Sequence, residues 1–463
     1  MARAKKEAAL TPEERLQAAL VPDWEWPYKL PENWCWVRLY SLAHIISKGT
    51  TPKGGKDAYV EKGIRFLRIE NINEDGSISH ENIKHITEEM HTGFLRRSIL
   101  CKDDILISIA GTLGKTGIVG EADLPLNTNQ AISFVRLIRG NLLPQYIKMS
   151  IDNPKTQDML ISQTKVTSIP NLTLEIIGNC AIPLAPLAEQ QRIVDRIESL
   201  FSKLDEAKEK AQAVVDSFET RKAAILHKAF TGELTAKWRE EHDVGMESWE
   251  VRTLNSVCSS IFDGDHMPPP KAESGIPFLV ISNVNTGHLT FENTRFVPQE
   301  YYDTLSDTRK PQLGDVLYTL VGSFGIPVVV NSKRPFCFQR HMALLRPIDV
   351  SPQFLWYILQ TPEMYDKASS IATGTAQLTV PIKGLRAMTI LRPNIAEQVE
   401  IVRILDGFFA REQSAKEAAE AVLDQIDLMK KSILARAFRG ELGTNDPNEE
   451  SAVGLLKEII RRG

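Results

Sequence analysis

The chain is 463 residues long, with 43% hydrophobic, 25% charged and 7% aromatic residues and a formal net charge of −4 from 55 basic and 59 acidic side chains. The length prior is about three domains, and the composition is that of an ordinary globular protein. It argues against a membrane-spanning chain, since no apolar run approaches the ~20 residues needed, and against one held on nucleic acid by bulk charge alone. The N-terminus MARAKKEAAL has no apolar signal core, so a cytoplasmic protein is expected. Cys35, Cys101, Cys180, Cys258 and Cys337 include no CxxC pair and are odd in number, which fits reduced thiols. The histidines include no HExxH, and no metal site is expected.

In chain order, residues 1–30 are expected to form a docking segment. In TPEERLQAAL, Thr11 can cap a helix, Pro12 suits its first position and Glu14 completes a capping box. A first module follows over 31–186, opening with WCWVRLYSL from Trp34, in which IRFLRIENI, DDILISIAG and AISFVRLI read as short strands between Gly, Asn and Pro turns. A central helical spacer spans 187–235, starting at LAEQQRIV and closing with AFTGEL from Ala229, and a linker spans 236–248. The second module, 249–393, opens with WEVRTLNSV and offers IPFLVISNV, DVLYTLVG, IPVVV and MALLRP in the same order, with helix expected in PQFLWYILQTPEMYDKAS from Pro352. A distal helical spacer spans 394–442, from IAEQVEIV to AFRGEL. In the tail, 443–463, GTNDPNEES reads as a flexible linker and AVGLLKEIIRRG as a short helix.

The chain thus says nearly the same thing twice. The module openings are offset by 249 − 34 = 215 residues and the AEQ motifs and helix ends by 395 − 187 = 208, so the second copy has lost seven residues between its ends. In the central spacer Ile193, Ile197, Leu200, Leu204, Ala207, Ala211, Val214, Phe218, Arg221 and Ile225 follow a 4,3 spacing. Adding 208 gives Ile401, Leu405, Phe408, Glu412, Ala415, Ala419, Val422, Ile426, Met429 and Ile433. A period of 3.5 sustained over four heptads predicts coiled-coil packing, with each helix the partner of its own repeat. The competing arrangement lays each helix on its own module. Gly407 weakens the second helix by ~1 kcal/mol relative to Ala, and Gly232 and Gly440 mark the helix ends. From Glu189 to Phe230 there are eight basic and eight acidic residues, and from Glu397 to Phe438 six and eight, so neither helix is a basic arm. The expected fold is mixed α/β: two similar globular α/β modules separated by two long helices in an antiparallel coiled coil, with pseudo-twofold symmetry.

The stretch IAGTLGKTG from Ile109 imitates a phosphate-binding loop through Gly114, Lys115 and Thr116. The full pattern needs a glycine where Ile109 stands, and the second copy, LVGSFGIPV, has Ile326 and Pro327 in place of Lys and Thr. Only Gly111 and Gly114 recur, as Gly322 and Gly325, which predicts a tight turn between strands. There is no GxSxG, GxGxxG or NPPY-like signature, and no catalytic constellation.

Two α/β modules, each followed by a heptad helix that starts at PLAEQQRIV or IAEQVEIV and ends at AFTGEL or AFRGEL, with the linker ELTAKWREEH from Glu233, resemble the specificity subunit of type I restriction-modification enzymes. The resemblance runs from about Trp34 to Leu442. It implies a non-enzymatic subunit whose modules are target recognition domains for double-stranded DNA and whose antiparallel helices seat two adenine methyltransferase subunits. Endonuclease-translocase subunits would attach to those. S-adenosylmethionine, ATP and Mg are then expected on partner subunits and no cofactor on this chain. A pseudo-twofold protein with unequal modules would read a bipartite, asymmetric target. Residues 193–225 span ~50 Å of helix, or about 15 base pairs, an upper bound on module spacing.

Base edges are read by Asn, Gln, Arg, Lys and Ser or Thr side chains displayed from loops on a rigid scaffold. In the first module the candidates are Lys53 and Lys56 in SKGTTPKGGK, then Asn71, Thr112, Lys115, Asn129 and Gln130. In the second they are His266, Lys271, Asn283, Ser323, Gln339, Arg340 and His341, with Gln339 and Arg340 aligning onto Asn129 and Gln130 at an offset of 339 − 129 = 210. Ile193, Ile197, Leu200, Leu204, Phe218, Ile401, Leu405, Phe408, Ile426 and Ile433 are the candidates for coiled-coil and partner docking. Two rival readings make the chain a nucleotide hydrolase built on the Lys115 loop, or a coiled-coil scaffold that binds proteins and no DNA.

Overall fold

A computed structural model describes residues 11–164, 171–264, 268–375 and 377–462. The chain forms two compact units, one of Met1–Lys210 with Val422–Gly463 and one of Ala211–Ala421. Each unit therefore holds one module, the start of the helix that follows it in sequence and the end of the other long helix.

The first unit contains β1 (Cys35–Arg38), β2 (Ala43–Lys48), β3 (Ile64–Leu67), β4 (Lys84–Ile86), β5 (Ile105–Ser108), β6 (Thr116–Ile118), β7 (Leu126–Thr128), β8 (Ile132–Leu137) and β9 (Ala181–Leu184). They form a four-stranded sheet in the order β2-β8-β5-β6, a three-stranded sheet β4-β3-β7 and a pair β1-β9. All pairings are antiparallel except β3 with β7. The second unit contains β10 (Glu250–Thr253), β11 (Cys258–Asp263), β12 (Ile276–Leu279), β13 (Arg295–Val297), β14 (Val316–Thr319), β15 (Pro327–Val329), β16 (Cys337–Phe338), β17 (Met342–Pro347) and β18 (Thr389–Arg392). Its sheets are β11-β17-β14-β15, β13-β12-β16 and β10-β18, the same topology strand for strand. The central strands β5 and β14 are buried throughout, which is why they read as unbroken apolar runs. The helical stretch from Pro352 is two helices, Pro352–Ile358 and Pro362–Ile371, because Pro362 cannot continue the first and starts the second, with Thr361 as its cap.

The phosphate-loop look-alike joins β5 to β6, strand to strand, with Gly111 and Gly114 at φ +74° and +78°. Gly322 and Gly325 repeat this at +73° and +90° between β14 and β15. The Ser108 hydroxyl donates to the Thr112 carbonyl and accepts the Lys115 N–H, and the Thr319 hydroxyl does the same for Ser323 and Ile326. No helix N-terminus follows Lys115, whose ammonium pairs with Glu74 at 3.0 Å, so the arrangement needed to cradle phosphates is missing.

The central spacer runs as Leu187–Asp216 and Phe218–Phe230, the distal one as Ile395–Ala437 without interruption. Within the first unit Lys430 pairs with Asp205 at 2.5 Å and lies over the Phe201 ring, while Lys208 faces Asp427. Within the second, Arg221 pairs with Glu412 at 2.7 Å and Lys416 lies over the Phe218 ring. As one helix number rises the other falls, so the helices pair antiparallel in both units. All ten positions of the first stripe are buried or half-buried, but in the second Ala415, Val422 and Met429 are exposed. Lys416, Leu423 and Lys430 face inward instead, the lysines burying their stems against aromatic rings. A second correction concerns Ile193, Ile197, Ile401 and Leu405. They join the cores of their own modules, so both sequence arrangements hold in part: each helix begins on its module and pairs with its repeat farther along.

Thr11 and Glu14 form the expected capping box of a helix, Pro12–Ala19. Residues 443–451, expected to be flexible, are held to the first module: Arg192 binds Glu449 with both guanidinium branches at 2.8 Å, and the Asn33 side chain bonds the Asp446 carbonyl. The helix Ala452–Arg462 then buries Ala452, Leu456 and Ile459 in the same core. The linker 236–248 likewise contains a helix, Ala236–Glu241. Among the described residues no helix is long and apolar enough to cross a membrane, and no cluster of side chains suits a metal ion.

Candidate nucleic-acid interface

In each module the C-terminal ends of four strands and the loops that leave them converge on one rim. In the first, Gly49 follows β2 and donates its N–H to Ile132 at 3.0 Å, while Thr50 donates to Thr128 and the Thr51 hydroxyl bonds Gln130. The chain beyond β7 is tied to β3 by the Asn129 N–H on the Leu67 carbonyl, and the chain beyond β5 by the Ile109 N–H on the Ala131 carbonyl. In the second module Gly264 donates to Met342, Gln339 to Leu279 and Leu320 to His341, repeating three of these bonds. The approach after β2 and β11 is so close that only glycine fits. A Cβ at Gly49 would lie 2.0 Å from the Asn129 carbonyl oxygen, and one at Gly264 2.3 Å from that of Phe338.

The sequence candidates divide on this rim. Lys53, Thr112, Gln130, Lys271, Ser323 and Arg340 are exposed on its loops, and Lys53 lies 4.8 Å from the centre of the half-exposed Phe94 ring. Lys115, Asn129, Gln339 and His341 are half-buried; the Asn129 side chain is spent on the Ala131 N–H, and burial with the neighbouring Arg340 charge lowers the His341 pKa. Asn71 and Asn283 must be withdrawn as base readers. Each is 2% exposed. Each accepts the N–H of the residue three before it and donates to a carbonyl, Glu81 or Glu292, so it clamps the turn after β3 or β12. His266 and the side chain of Lys56 lie outside the described residues. Sequence reasoning missed the supports of the rim, the glycines and the Ser108 and Thr319 hydroxyls, and two ion pairs at the opposite end of the same strands. Asp104 takes Arg136 at 2.8 and 2.7 Å and Asp315 takes Arg346 at 3.0 and 2.9 Å, tying the approach to the central strand onto the next one. Their recurrence at offsets of 211 and 210 was the available signal.

The sequence matches the family described as type I restriction modification DNA specificity domain twice, over residues 31–215 and 246–423. The chain belongs to that family. It is 24% identical over 462 residues to the type I restriction enzyme EcoKI specificity subunit of Escherichia coli strain K12, covering 93% of this chain and 96% of that one. The MjaVIII specificity subunit of Methanocaldococcus jannaschii is 25% identical over 444 residues, covering 91% and 95%. Among solved structures, the HsdS subunit from Thermoanaerobacter tengcongensis shares the fold with a TM-score of 0.63 at 23% identity, over 90% of this chain and 100% of that one. A chain from a structure of a type I restriction-modification system's assembly and conformational transition gives 0.67 at 22%, with the same coverage. The two modules are the target recognition domains of this specificity chain.

The motifs that carried the resemblance have a structural role in the specificity chain. Glu189 and Glu397, the acids of the two AEQ motifs, are fully buried and accept the indole N–H of the tryptophan that opens each domain: Trp34 at 2.7 Å and Trp249 at 3.0 Å. Glu397 also takes Arg239 at 2.6 Å and the Thr235 hydroxyl at 2.7 Å, both from just beyond the first GEL. Glu189 takes Asn445 at 2.9 Å and Thr444, from just beyond the second. Burial pushes the Glu189 carboxyl above the ordinary range, against the lowering effect of these donors. The neighbouring glutamines, Gln190 and Gln398, accept from Leu143 and Ser351 and donate to the carbonyls of Ala185 and Pro393. The phenylalanine of AFTGEL, Phe230, packs edge-on against Phe354 at 5.3 Å, and that of AFRGEL, Phe438, against Tyr146 at 5.3 Å. Each recognition domain is therefore closed by the start of its own helix and the end of the other.

Proposed function

We propose that this chain is the non-catalytic DNA-reading subunit of a type I restriction-modification assembly, working in the cytoplasm. Each recognition domain reads one half of a bipartite, asymmetric duplex target. The paired helices set the gap and dock two adenine methyltransferase subunits, to which endonuclease-translocase subunits attach. S-adenosylmethionine, ATP and Mg belong to those partners, and modification requires the partner to turn an adenine out of the stack.

The observation that carries this reading is a rim built by the same bonds in both domains but presenting different side chains. Gln130 stands where the other domain has Arg340, Thr112 where it has Ser323, and the Lys53 loop where it has Lys271. Identical frames with unlike polar displays suit two unlike half-sites. Residues 31–186 carry 17 basic and 16 acidic side chains and 249–393 carry 13 and 12, a surplus of one in each. Such domains supply base readout while partners supply most of the phosphate charge.

The test is to insert four residues near Ala211 of the central helix, a shift of ~6 Å or one to two base pairs. Methylation by the assembly is then mapped. The gap between the half-sites changes while both half-sites stay the same; altered half-sites or an unchanged gap would overturn the ruler role.

A further inference from the structure

The two domains differ most in how the strand pair that opens and closes them is covered. In the first unit, every residue of β1 and β9 except Arg38 is buried. The cover is the segment before β1. Val21 donates its N–H to the Trp36 carbonyl at 3.0 Å, Leu20 bridges antiparallel to Val37, and the Tyr28 ring packs edge-on at 5.0 Å against Trp36, whose indole donates to the Tyr28 carbonyl. An extended aromatic segment thus adds to the outer edge of β1 and roofs its face.

The second unit has the same strand pair without the roof. Val251 stands where Trp36 does and faces Leu391, as Trp36 faces Pro183. Val251 is 69% exposed and Leu391 38%, and Ile395 and Val399, one turn apart at the start of the distal helix, are 50% and 59% exposed. Val399 replaces Gln191 of the first copy, so apolar surface has been added where it is uncovered. Among the described residues no bridge reaches the outer edge of β10. Nor do the described residues that precede β10 supply a cover: residues 233–248 separate Gly232 from Trp249, and they hold the helix Ala236–Glu241 and the Arg239 contact with Glu397. Glu250 and Arg252, which alternate with Val251 along β10 and so point to its other face, pair there with each other and with Arg392 and Asp349. An uncovered apolar edge strand is a site for strand addition by another chain.

We propose that the outer edge of β10, with Val251, Leu391, Ile395 and Val399, docks an extended apolar segment of a partner polypeptide, which adds as an antiparallel strand and sets a branched or aromatic side chain over Val251. A second copy of this chain is the poorer occupant, because its own segment of that kind is folded onto its β1. The proposal rests on the reading that the chain works in an assembly with methyltransferase subunits, and adds a surface on the recognition domain itself.

Hydrogen exchange on the full chain, alone and with its methyltransferase partner, tests it. The amides of 250–253 exchange at least ten-fold more slowly in the complex, and Val251→Lys weakens partner affinity at least ten-fold while leaving the free chain folded. A complex that forms with these amides unchanged and with Val251→Lys binding normally overturns the docking site but not the assembly. Protection that rises with the concentration of the chain alone assigns the edge to a second copy and also overturns it. Failure to form any complex overturns both readings.

Discussion

Arg239→Ala removes one side of the lock that closes the second recognition domain. Its guanidinium binds Glu397 at 2.6 Å, the Thr235 hydroxyl at 3.0 Å and the Gly232 carbonyl at 2.7 Å, and Glu397 is fully buried. Truncation leaves a buried carboxylate with only the Thr235 and Trp249 donors and a carbonyl without its partner. Breaking a buried pair from one side costs about 3–5 kcal/mol, and every ~1.4 kcal/mol is tenfold in an equilibrium constant. Amides of β10, β14 and β18 that exchange only when this unit opens should therefore exchange about a thousand-fold faster. The first unit keeps its own lock of Trp34, Asn445 and Glu189, without an arginine on the carboxylate, and its amides should not change. Adding Glu397→Gln removes the uncompensated charge and should recover part of the loss. The assay is native-state hydrogen exchange read by mass spectrometry, peptide by peptide. Equal acceleration in both units, or less than tenfold in the second, would refute the view that each unit is locked separately by its glutamate.

Phe438→Ala should destabilise the first unit and Phe230→Ala the second, each by about 3–5 kcal/mol, as shifts in denaturant midpoint localised by the same exchange measurement. Gly49→Ala must push its Cβ away from the Asn129 carbonyl, so the assembly should lose discrimination at one half-site only, read by binding to duplexes mutated in either half; Gly264→Ala should affect the other. The raised Glu189 pKa means that, as pH climbs from the carboxyl's ordinary 4.5, the unfolded chain gives up this proton first and the folded state keeps it. This group then makes stability fall with rising pH, and Glu189→Gln should remove that contribution from the slope of urea stability against pH just above 4.5. Gln130→Ala and Arg340→Ala should each relax preference at one position of one half-site, by ~1–3 kcal/mol in competition binding.

What recurs between the copies was legible. Strand order, turn glycines and the helical stripe all come from burial, which imposes the same periodicity on any sequence with that fold. The stripe fails at Ala415, Val422 and Met429 because Lys416 and Lys430 look polar in sequence yet bury their stems on Phe218 and Phe201. Asn71 and Asn283 were misread because an asparagine that clamps a turn and one that reads a base have the same composition; only their shared place in both copies separated them. The AEQ glutamates stood out as a motif, but full burial where the helix start, the opening tryptophan and the stretch beyond the other GEL converge is a tertiary property that neighbours in sequence do not report. GTNDPNEES reads as a linker because it is polar, yet its polar groups are what bind Asn33, Glu189 and Arg192.

Whether two recognition domains with one frame and different rims read two different half-sites is decided by expressing the chain with its methyltransferase partner and mapping adenine methylation across a genome at single-base resolution. The expected result is a two-part asymmetric motif with a fixed gap, methylated once on each strand. A continuous palindrome, or methylation without sequence preference, would contradict it.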